Sequence, residues 1–232
     1  MNSAVIVAAG VGKRFGPGTD KLFLEVAGRP VVAHTWARFD RVDLVDEVIL
    51  VIRSGLEDAF QEMARSLELT KPWHLVPGGA ERQDSVWNGL QATAAGSELV
   101  AIQDGARPCT PVQVIADTLL AARETGAAVA AQRVTDTLKE SGDGRLVDRT
   151  VDRSRLWAVQ TPQAFRRSIL IHALNEVRRR GVQVTDDTAA CEFVGQPIRL
   201  VDSREPNPKV TYPGDLPYIE LLLGRSSGGA ER

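Results

Sequence analysis

The chain has 232 residues, of which 43% are hydrophobic and 25% are charged, and its formal net charge is −2. This length and composition predict a soluble protein with one globular domain and enough apolar residues for a substantial core. The near balance of 28 basic and 30 acidic residues argues against a general nucleic-acid binder and against a protein of anionic membrane surfaces. It leaves room for a local basic cluster that holds a small anion.

The cysteines and the N-terminus predict a cytoplasmic protein. Cys109 and Cys191 lie outside any CxxC or Cys/His cluster, so the sequence indicates neither a structural zinc site nor a disulfide framework. The first apolar run, residues 4–9, is too short for a signal peptide or a membrane span, and no other run is long enough to span a bilayer.

Short apolar runs alternate along the chain with segments of helical period. Runs rich in Val and Ile predict strands at 4–9, 47–52, 74–77, 99–103, 127–131 and 198–201. Helices are predicted around residues 60–67, from a start capped by Asp84 or Ser85, from Thr110-Pro111 to Gly126, and over 168–180 before Gly181. This alternation favours an α/β fold with a mostly parallel, twisted sheet and helices on both faces.

Two segments depart from this alternation. Residues 136–157 are polar and half-alternating around a Gly-Asp-Gly turn, which predicts a β-hairpin or arm that projects from the sheet. The arm has too few apolar residues for a core of its own, so we expect it to rest on a partner subunit. Residues 225–232 are small and polar, which predicts a single domain over 1–224 and a disordered tail.

The first predicted strand ends in a loop that is rich in glycine and contains Arg14 and Lys21. The spacing of the glycines excludes a P-loop, because Val7 stands where the first glycine of that motif should be. It also excludes the dinucleotide fingerprint GxGxxG, because Phe15 stands where the third glycine should be. Small residues nevertheless let backbone N–H groups face an anion, and the two cations add full charges. The functional interpretation is a phosphate-binding loop, and the alternative is an exposed, mildly basic loop.

Two further strand ends are candidates for ligand contacts. Gly78 and Gly79 permit a close backbone approach and Ser85 offers a hydroxyl, although an ordinary turn and helix cap is the alternative. Asp104 ends a buried strand, where open α/β sheets bind ligands, and its carboxylate could hold Mg²⁺. The alternative for Asp104 is a turn residue or a partner of Arg107.

Taken together, the motifs resemble a known family, the 2-C-methyl-D-erythritol 4-phosphate cytidylyltransferases of the non-mevalonate isoprenoid pathway. In order they are AAGVGKRFG…DKLFLEVAGRPV (8–31), GGAERQDSVWNGL (78–90), DGARP (104–108), DTLK (136–139), TVDRSRLWAVQTPQAF (150–165), TDDTA (185–189) and PKVTYPGDL (208–216). The resemblance implies a Rossmann-like nucleotidyltransferase fold. It also implies the transfer of CMP from CTP to methylerythritol 4-phosphate, with release of pyrophosphate. An already anionic phosphate nucleophile explains why the motifs contain no general base.

The resemblance also implies residue roles and partners. Arg14 and Lys21 match residues that stabilise the transition state. Arg153 and Lys209 match residues that position methylerythritol 4-phosphate, the polyol phosphate. Cytidine would be held by Ala8, Ala9, Gly10, Gly79 and Ser85, and the polyol phosphate further contacted by Asp104, Arg107, Thr137 and Thr161. Asp104 also matches the Mg²⁺ ligand. In the family the arm crosses to a neighbouring subunit, which implies a homodimer whose active sites include the partner's Thr137 and Arg153.

Some positions depart from the family pattern, and alternative functions remain open. Gln103 and Gly105 stand where the family usually has His and Ala, and Leu22 stands where it usually has Gln. One alternative is a ribitol-5-phosphate cytidylyltransferase, since that family shares almost every motif. The other is a non-catalytic nucleotide-binding regulatory protein, against which the retained charged residues argue.

Overall fold

The computed structural model describes residues 1–10, 12–16 and 18–227. Its strands are β1 (Asn2–Ala8), β2 (Glu25–Val26), β3 (Arg29–Pro30), β4 (Glu47–Ile52), β5 (Trp73–Pro77), β6 (Leu99–Asp104), β7 (Ala127–Arg133), β8 (Leu138–Glu140), β9 (Arg149–Val151), β10 (Trp157–Arg166) and β11 (Arg199–Asp202). Its α-helices are α1 (Val31–Asp40), α2 (Glu57–Ser66), α3 (Arg82–Gln91), α4 (Val112–Thr125), α5 (Arg167–Arg179), α6 (Asp187–Phe193) and α7 (Leu216–Ser227). Short 3-10 turns lie at Lys13–Phe15 and Pro213–Asp215.

The central sheet confirms the predicted α/β class. Within the described residues it has seven strands in the order β11-β7-β10-β6-β1-β4-β5. All its strands are parallel except β10, which runs antiparallel to both β6 and β7. The six predicted strands are present, whereas β10 was missed. Its sequence contains a proline, which argues against a central strand, and here the pairing of β10 with β7 shifts register between Val159 and Gln163.

Helices cover both faces of the sheet, as predicted. On β1, Ala4 and Ile6 pack into a cluster with residues of α1, α2, α4 and α7, whereas Val5 packs on the other face with residues of α3, α5 and α6. Successive side chains of β1 point to opposite faces of the sheet, and helices cover both faces. The sequence of β1 is therefore a continuous apolar run.

The start of α3 differs from the sequence prediction. The helix begins at Arg82, three residues after the glycine pair ends, rather than behind a cap at Asp84 or Ser85. Glu81 occupies the cap position, and its backbone N–H donates to Oδ2 of Asp84 (3.3 Å). Asp84 therefore acts from the third helical position, as the acid of a capping box does.

The start of α4 is also one residue later than predicted. Pro111 occupies the cap position and Val112 is the first helical residue. Thr110 is not the cap, because its hydroxyl hydrogen-bonds with Oδ1 of Asn207 (2.9 Å). The predicted stop at Gly126 is confirmed, with a φ of 93°.

The arm is confirmed as a hairpin, in which β8 pairs with β9 in antiparallel register. Leu146 and Val147 near its tip are 72% and 60% exposed. At the C-terminus α7 continues through Ser227, and residues 228–232 of the predicted tail lie outside the described residues. Among the described helices, none is long and apolar enough to span a membrane.

Candidate active site

A pocket opens at the carboxyl ends of β1 and β6, where parallel α/β sheets bind ligands. The first turn of α3 and the segment around Lys209 form its other walls. The pocket brings together many of the predicted site residues, namely Ala9, Gly10, Lys21, Gly79, Ser85, Asp104 and Lys209. Ala8 lies buried at the end of β1, directly before these residues.

The wall formed by Gly79 and α3 is tightly built. The N–H of Gly79 donates to Oγ of Ser85 (3.1 Å), which in turn donates to the backbone oxygen of Glu81 (3.2 Å). A Cβ atom on Gly79 would lie 2.2 Å from Cβ of Asp84, so the turn has no room for a side chain. The close approach of this backbone to α3 explains why glycine is required there.

Asp104 is surrounded by basic side chains. Its Oδ2 lies 3.0 Å from Nζ of Lys209 and 3.3 Å from Nε of Arg107, and its Oδ1 lies 3.7 Å from Nε of Arg82. Burial acts to raise the pKa of Asp104, but Lys209, Arg82 and Arg107 lower it to about 2. The carboxylate is therefore ionised at neutral pH, and the surrounding cations outnumber it. Such a surplus of positive charge suits an anionic ligand.

Lys21 adds another cation to this pocket. Its Nζ donates to the backbone oxygen of Val210 (2.7 Å). Burial, with further contributions from the charges of Lys209 and Arg14, lowers the pKa of Lys21, although Asp104 opposes the shift. Because nearby cations disfavour its charge, the Lys21 ammonium would gain from a bound polyanion.

Arg107 and Thr161, which the sequence predicts to contact substrate, are already bonded within the protein. The N–H of Asp104 donates to Oγ1 of Thr161 (3.1 Å). Thr161 is only 3% exposed. Arg107 contacts Asp104 and also donates from Nη1 to the backbone oxygen of Asn207 (2.7 Å). The pairing of Asp104 with Arg107, which the sequence offered as an alternative, is thus present within a larger charge network.

The remaining predicted residues lie outside this pocket. Arg14 is exposed, and its guanidinium carbon lies 5.6 Å from the ring centre of Tyr212. Thr137 and Arg153 are exposed on the arm and do not line the pocket. One chain alone therefore does not bring the arm residues to the cations around Asp104.

Comparisons with known proteins agree with this architecture. A family model described as 2-C-methyl-D-erythritol 4-phosphate cytidylyltransferase matches residues 2–225. The chain belongs to this family. A cytidylyltransferase of that name from Geobacillus kaustophilus is 41% identical over 220 residues, which are 95% of this chain and 96% of the relative.

Solved structures place the fold in the same cytidylyltransferase family. The 4-diphosphocytidyl-2C-methyl-D-erythritol synthase from Anaerococcus prevotii superposes with a TM-score of 0.85 at 32% identity, covering 96% of each chain. The 2-C-methyl-D-erythritol 4-phosphate cytidylyltransferase from Thermus thermophilus gives a TM-score of 0.78 at 34% identity, over 96% of this chain and 98% of that chain. The Rossmann-like nucleotidyltransferase fold expected from the motifs is therefore confirmed.

Three residues of the cytidylyltransferase site were not singled out from the sequence. Arg82 lines the pocket, Oδ2 of Asp187 lies 2.8 Å from Nη1 of Arg82, and Asn207 is buried. The side-chain nitrogen of Asn207 donates to the backbone oxygen of Thr161 (2.8 Å), which ties the Lys209 segment to β10. Arg82 and Asp187 stand within the motifs GGAERQDSVWNGL and TDDTA, so motif membership was the signal available for them.

The described side chains around Asp104 do not form a metal site of their own. Among the described residues there is no group of three or more His, Cys, Asp or Glu side chains that could hold a metal alone. Magnesium in phosphate chemistry commonly uses one or two carboxylates and completes its shell with phosphates and water. Lys209 and Arg107 contact Oδ2 of Asp104, and Nε of Arg82 lies 3.7 Å from its Oδ1. Both carboxylate oxygens are thus already close to cations, so phosphates and water would have to supply most ligands of such an ion.

Proposed function

We propose that this chain transfers CMP from CTP to 2-C-methyl-D-erythritol 4-phosphate and releases pyrophosphate in the pocket around Asp104. The observation that carries the proposal is the convergence of Lys21, Lys209, Arg107 and Arg82 on one carboxylate in a member of this family. Two highly charged phosphate compounds must meet for the reaction. Positioned cations in a partly closed pocket offset that repulsion.

The wall of small residues suits the nucleotide. Backbone groups of residues 8–10 and of Gly79 can approach the cytosine and ribose closely, because these residues carry at most a methyl group as side chain. Ser85 fixes the Gly79 turn through its hydroxyl. A narrow wall of this kind can read the edge of a pyrimidine and exclude larger purines.

The cations account for the chemical step. The phosphate of methylerythritol 4-phosphate attacks the α-phosphorus of CTP, so that a new P–O bond forms while the bond to the pyrophosphate oxygen breaks. The electron pair of that bond leaves with pyrophosphate. Lys21 and Arg14 would stabilise the charge that develops there, and Lys209 with the partner's Arg153 would orient the attacking phosphate. No residue needs to remove a proton, since a phosphate monoester is anionic near neutral pH.

The metal belongs to this proposal as well. Asp104 would hold Mg²⁺ through its carboxylate, and the ion would supply positive charge to the phosphates of CTP. The support for it is that Asp104 is an ionised carboxylate that lines the pocket.

A homodimer completes the proposed site. Thr137 and Arg153 are exposed on the arm and do not line the pocket of their own chain, and the apolar residues Leu146 and Val147 near the arm's tip are also exposed. We infer that the arm of one subunit delivers these residues to the pocket of the other. A cytoplasmic location is part of the same proposal, supported by two free, buried cysteines.

The test is product formation by purified protein with CTP and Mg²⁺. We expect methylerythritol 4-phosphate to give a diphosphate product in ³¹P NMR, together with one pyrophosphate per product, and excess EDTA to stop the reaction. Ribitol 5-phosphate is the matched control. The family model and the relatives described above carry the methylerythritol name, which supports the first polyol. Pyrophosphate release with ribitol 5-phosphate alone would overturn the choice of substrate.

A further inference from the structure

Asn207 is a buried asparagine whose polar groups are bonded on several sides. It is 1% exposed. Its Oδ1 accepts from the hydroxyl of Thr110 (2.9 Å), and its Nδ2 donates to the backbone oxygen of Thr161 (2.8 Å) and to Oε1 of Gln160 (3.2 Å). Its own backbone oxygen accepts from Nη1 of Arg107 (2.7 Å). Because a buried polar group without a partner is costly, these bonds hold the residue in one position.

Three residues that are expected to contact the polyol phosphate meet at this asparagine. Arg107 and Thr161 are bonded to it directly, and Lys209 follows it by two positions in the chain. The same three residues also surround Asp104. Its N–H donates to Oγ1 of Thr161 (3.1 Å), and its Oδ2 lies 3.3 Å from Nε of Arg107 and 3.0 Å from Nζ of Lys209. Asn207 therefore joins the chain segments that supply one half of the proposed site.

The residues that are expected to hold cytidine lie on other elements. They stand at the end of β1 and around the start of α3, and they are Ala8, Ala9, Gly10, Gly79 and Ser85. In the described part of the chain none of them is hydrogen-bonded to Asn207, whose partners belong to β10 and to the loop between β6 and α4. The bonds of this asparagine therefore bear on the polyol phosphate rather than on CTP.

A separate anchor holds the end of the segment that contains Lys209. The N–H of Val210 donates to the backbone oxygen of Ala106 (2.8 Å), and the backbone oxygen of Val210 accepts from Nζ of Lys21 (2.7 Å). Val210 is fully buried. Because this anchor does not use the Asn207 side chain, loss of that side chain should displace residues 207–209 and leave the contact of Lys21 in place.

We propose that Asn207 is a positioning residue, which fixes the binding site for the polyol phosphate and not the site for CTP. It acts through Arg107, Thr161 and Lys209 and does not itself line the pocket. The inference rests on the proposed function, because it concerns one of the two substrates named there. A role in stability alone would leave the kinetics of the folded protein unchanged.

The test compares the two substrates in Asn207→Ala, on protein that circular dichroism shows to be folded. Pyrophosphate release at saturating CTP gives kcat/KM for methylerythritol 4-phosphate, and calorimetry without the polyol phosphate gives the Kd for CTP. We expect kcat/KM to fall on the order of 10- to 100-fold, mainly through a higher KM, because small displacements of positioning groups have effects of this size. The Kd for CTP should stay unchanged. An unchanged kcat/KM, or a Kd for CTP raised by the same factor, would contradict the proposal.

Thr110 provides a milder pair of variants that keeps the asparagine. Thr110→Val preserves the shape of the side chain but removes the hydroxyl that is bonded to Oδ1 of Asn207, whereas Thr110→Ser keeps a hydroxyl. We expect kcat/KM for methylerythritol 4-phosphate to fall several-fold in Thr110→Val and to be retained in Thr110→Ser. Equal values in these two variants would overturn the proposal, also where Asn207→Ala fails to fold.

Asn2 supplies the matched control. This asparagine is 6% exposed at the start of β1, and its Nδ2 donates to the backbone oxygen of Leu44 (2.7 Å). The pocket lies at the other end of β1, so Asn2→Ala should lose stability and keep both kcat/KM and the Kd for CTP. A fall of kcat/KM as large as in Asn207→Ala would show a general effect of losing a buried amide and would overturn the proposal.

The same measurements separate the inference from the proposed function. If the unchanged protein forms no product from CTP and methylerythritol 4-phosphate, the proposed function fails and the inference fails with it. If the unchanged protein is active and Asn207→Ala keeps its kcat/KM for the polyol phosphate, only the inference fails.

Discussion

Asp104 is a carboxylate kept ionised in a buried position by the cations around it. Its pKa of about 2 lies below the usual value of 3.8, because Lys209, Arg82 and Arg107 outweigh the effect of burial. The folded protein therefore binds a proton at this site less readily than the unfolded chain does. The stabilising contribution is present above the unfolded pKa and is lost as the pH falls from about 4 to about 2.

Asp104→Asn tests this balance through stability rather than activity. At pH 7 we expect the free energy of unfolding to fall by about 2 kcal/mol, since the variant loses the attraction that depresses the pKa. The difference between the two proteins should shrink as the pH is lowered through 4 to 3. Urea unfolding at pH 7, 4 and 3 measures it, and a difference that stays constant with pH would contradict the electrostatic account.

Lys21→Ala tests the role of the pocket cation in the chemical step. Turnover should fall on the order of 100-fold or more, because the lost charge matters most as pyrophosphate leaves. CTP binding should weaken much less, which a comparison of kcat with a calorimetric Kd for CTP measures. Lys71→Ala, at a lysine outside the pocket, is the control and should keep both values. Near-normal turnover of Lys21→Ala would contradict its assigned role.

Single residues differ in how far sequence could predict them. Lys21 and Lys209 stand in recognisable motifs beside strand ends, and the structure places both at Asp104 or its pocket. Arg82 and Asp187 also stand in motifs, but their pairing joins residues of α3 and α6 that are distant in sequence. No local pattern encodes a contact of that kind, so the second carboxylate of the network became visible only in three dimensions.

At the scale of elements, α3 positions one wall of the pocket by packing very closely on the sheet. A Cβ atom on Gly89 would lie 2.4 Å from Cγ1 of Val5 and 2.7 Å from Cγ2 of Val51. The helix can approach β1 and β4 this closely only because residue 89 has no side chain. The same helix carries Arg82 and Ser85 in its first turns, so its distance from the sheet sets their positions.

Gly89→Ala should therefore destabilise the protein. The clash is expected to cost about 1–3 kcal/mol, which outweighs the roughly 1 kcal/mol that alanine gains over glycine in a helix. Gly224→Ala is the matched control, because this helical glycine has nothing within 4 Å of an added Cβ and should not lose stability. Urea unfolding of both variants decides the matter. If Gly89→Ala were as stable as Gly224→Ala, the close packing of α3 on β1 and β4 would not depend on glycine at residue 89.

Helices and strands were largely predictable where the spacing of apolar residues alone defines them. The parallel strands and the stops at Gly126 and Gly181 follow from local sequence, and the structure confirms them. β10 was not predictable in this way, because a proline and several polar residues interrupt it while β6 and β7 pair with its two edges. The start of α3 was misplaced since the cap is Glu81, a residue less typical of caps than the neighbouring Asp84 or Ser85.

At the scale of the whole molecule, one chain supplies only part of the proposed site. Lys21, Asp104 and Lys209 share a pocket, whereas Arg153 is exposed on the arm and absent from its lining. The central claim is that cytidylyl transfer needs the pocket of one subunit and the arm of the other. The sequence predicted the arm from its turn and polar runs, but the surface on which the arm would rest lies on another subunit and leaves no signal in the sequence of the arm.

Subunit mixing tests that claim most directly. Lys21→Ala and Arg153→Ala should each be nearly inactive alone, yet a mixed dimer has one intact site, formed by Lys21 of one subunit and Arg153 of the other. After equal mixing and reassociation, pyrophosphate release from CTP and methylerythritol 4-phosphate should recover to about a quarter of the unchanged protein's rate, because half of the dimers are mixed and each has one intact site of two. Activity no higher than that of the separate variants, with mixed dimers shown to form by native mass spectrometry, would contradict the composite site.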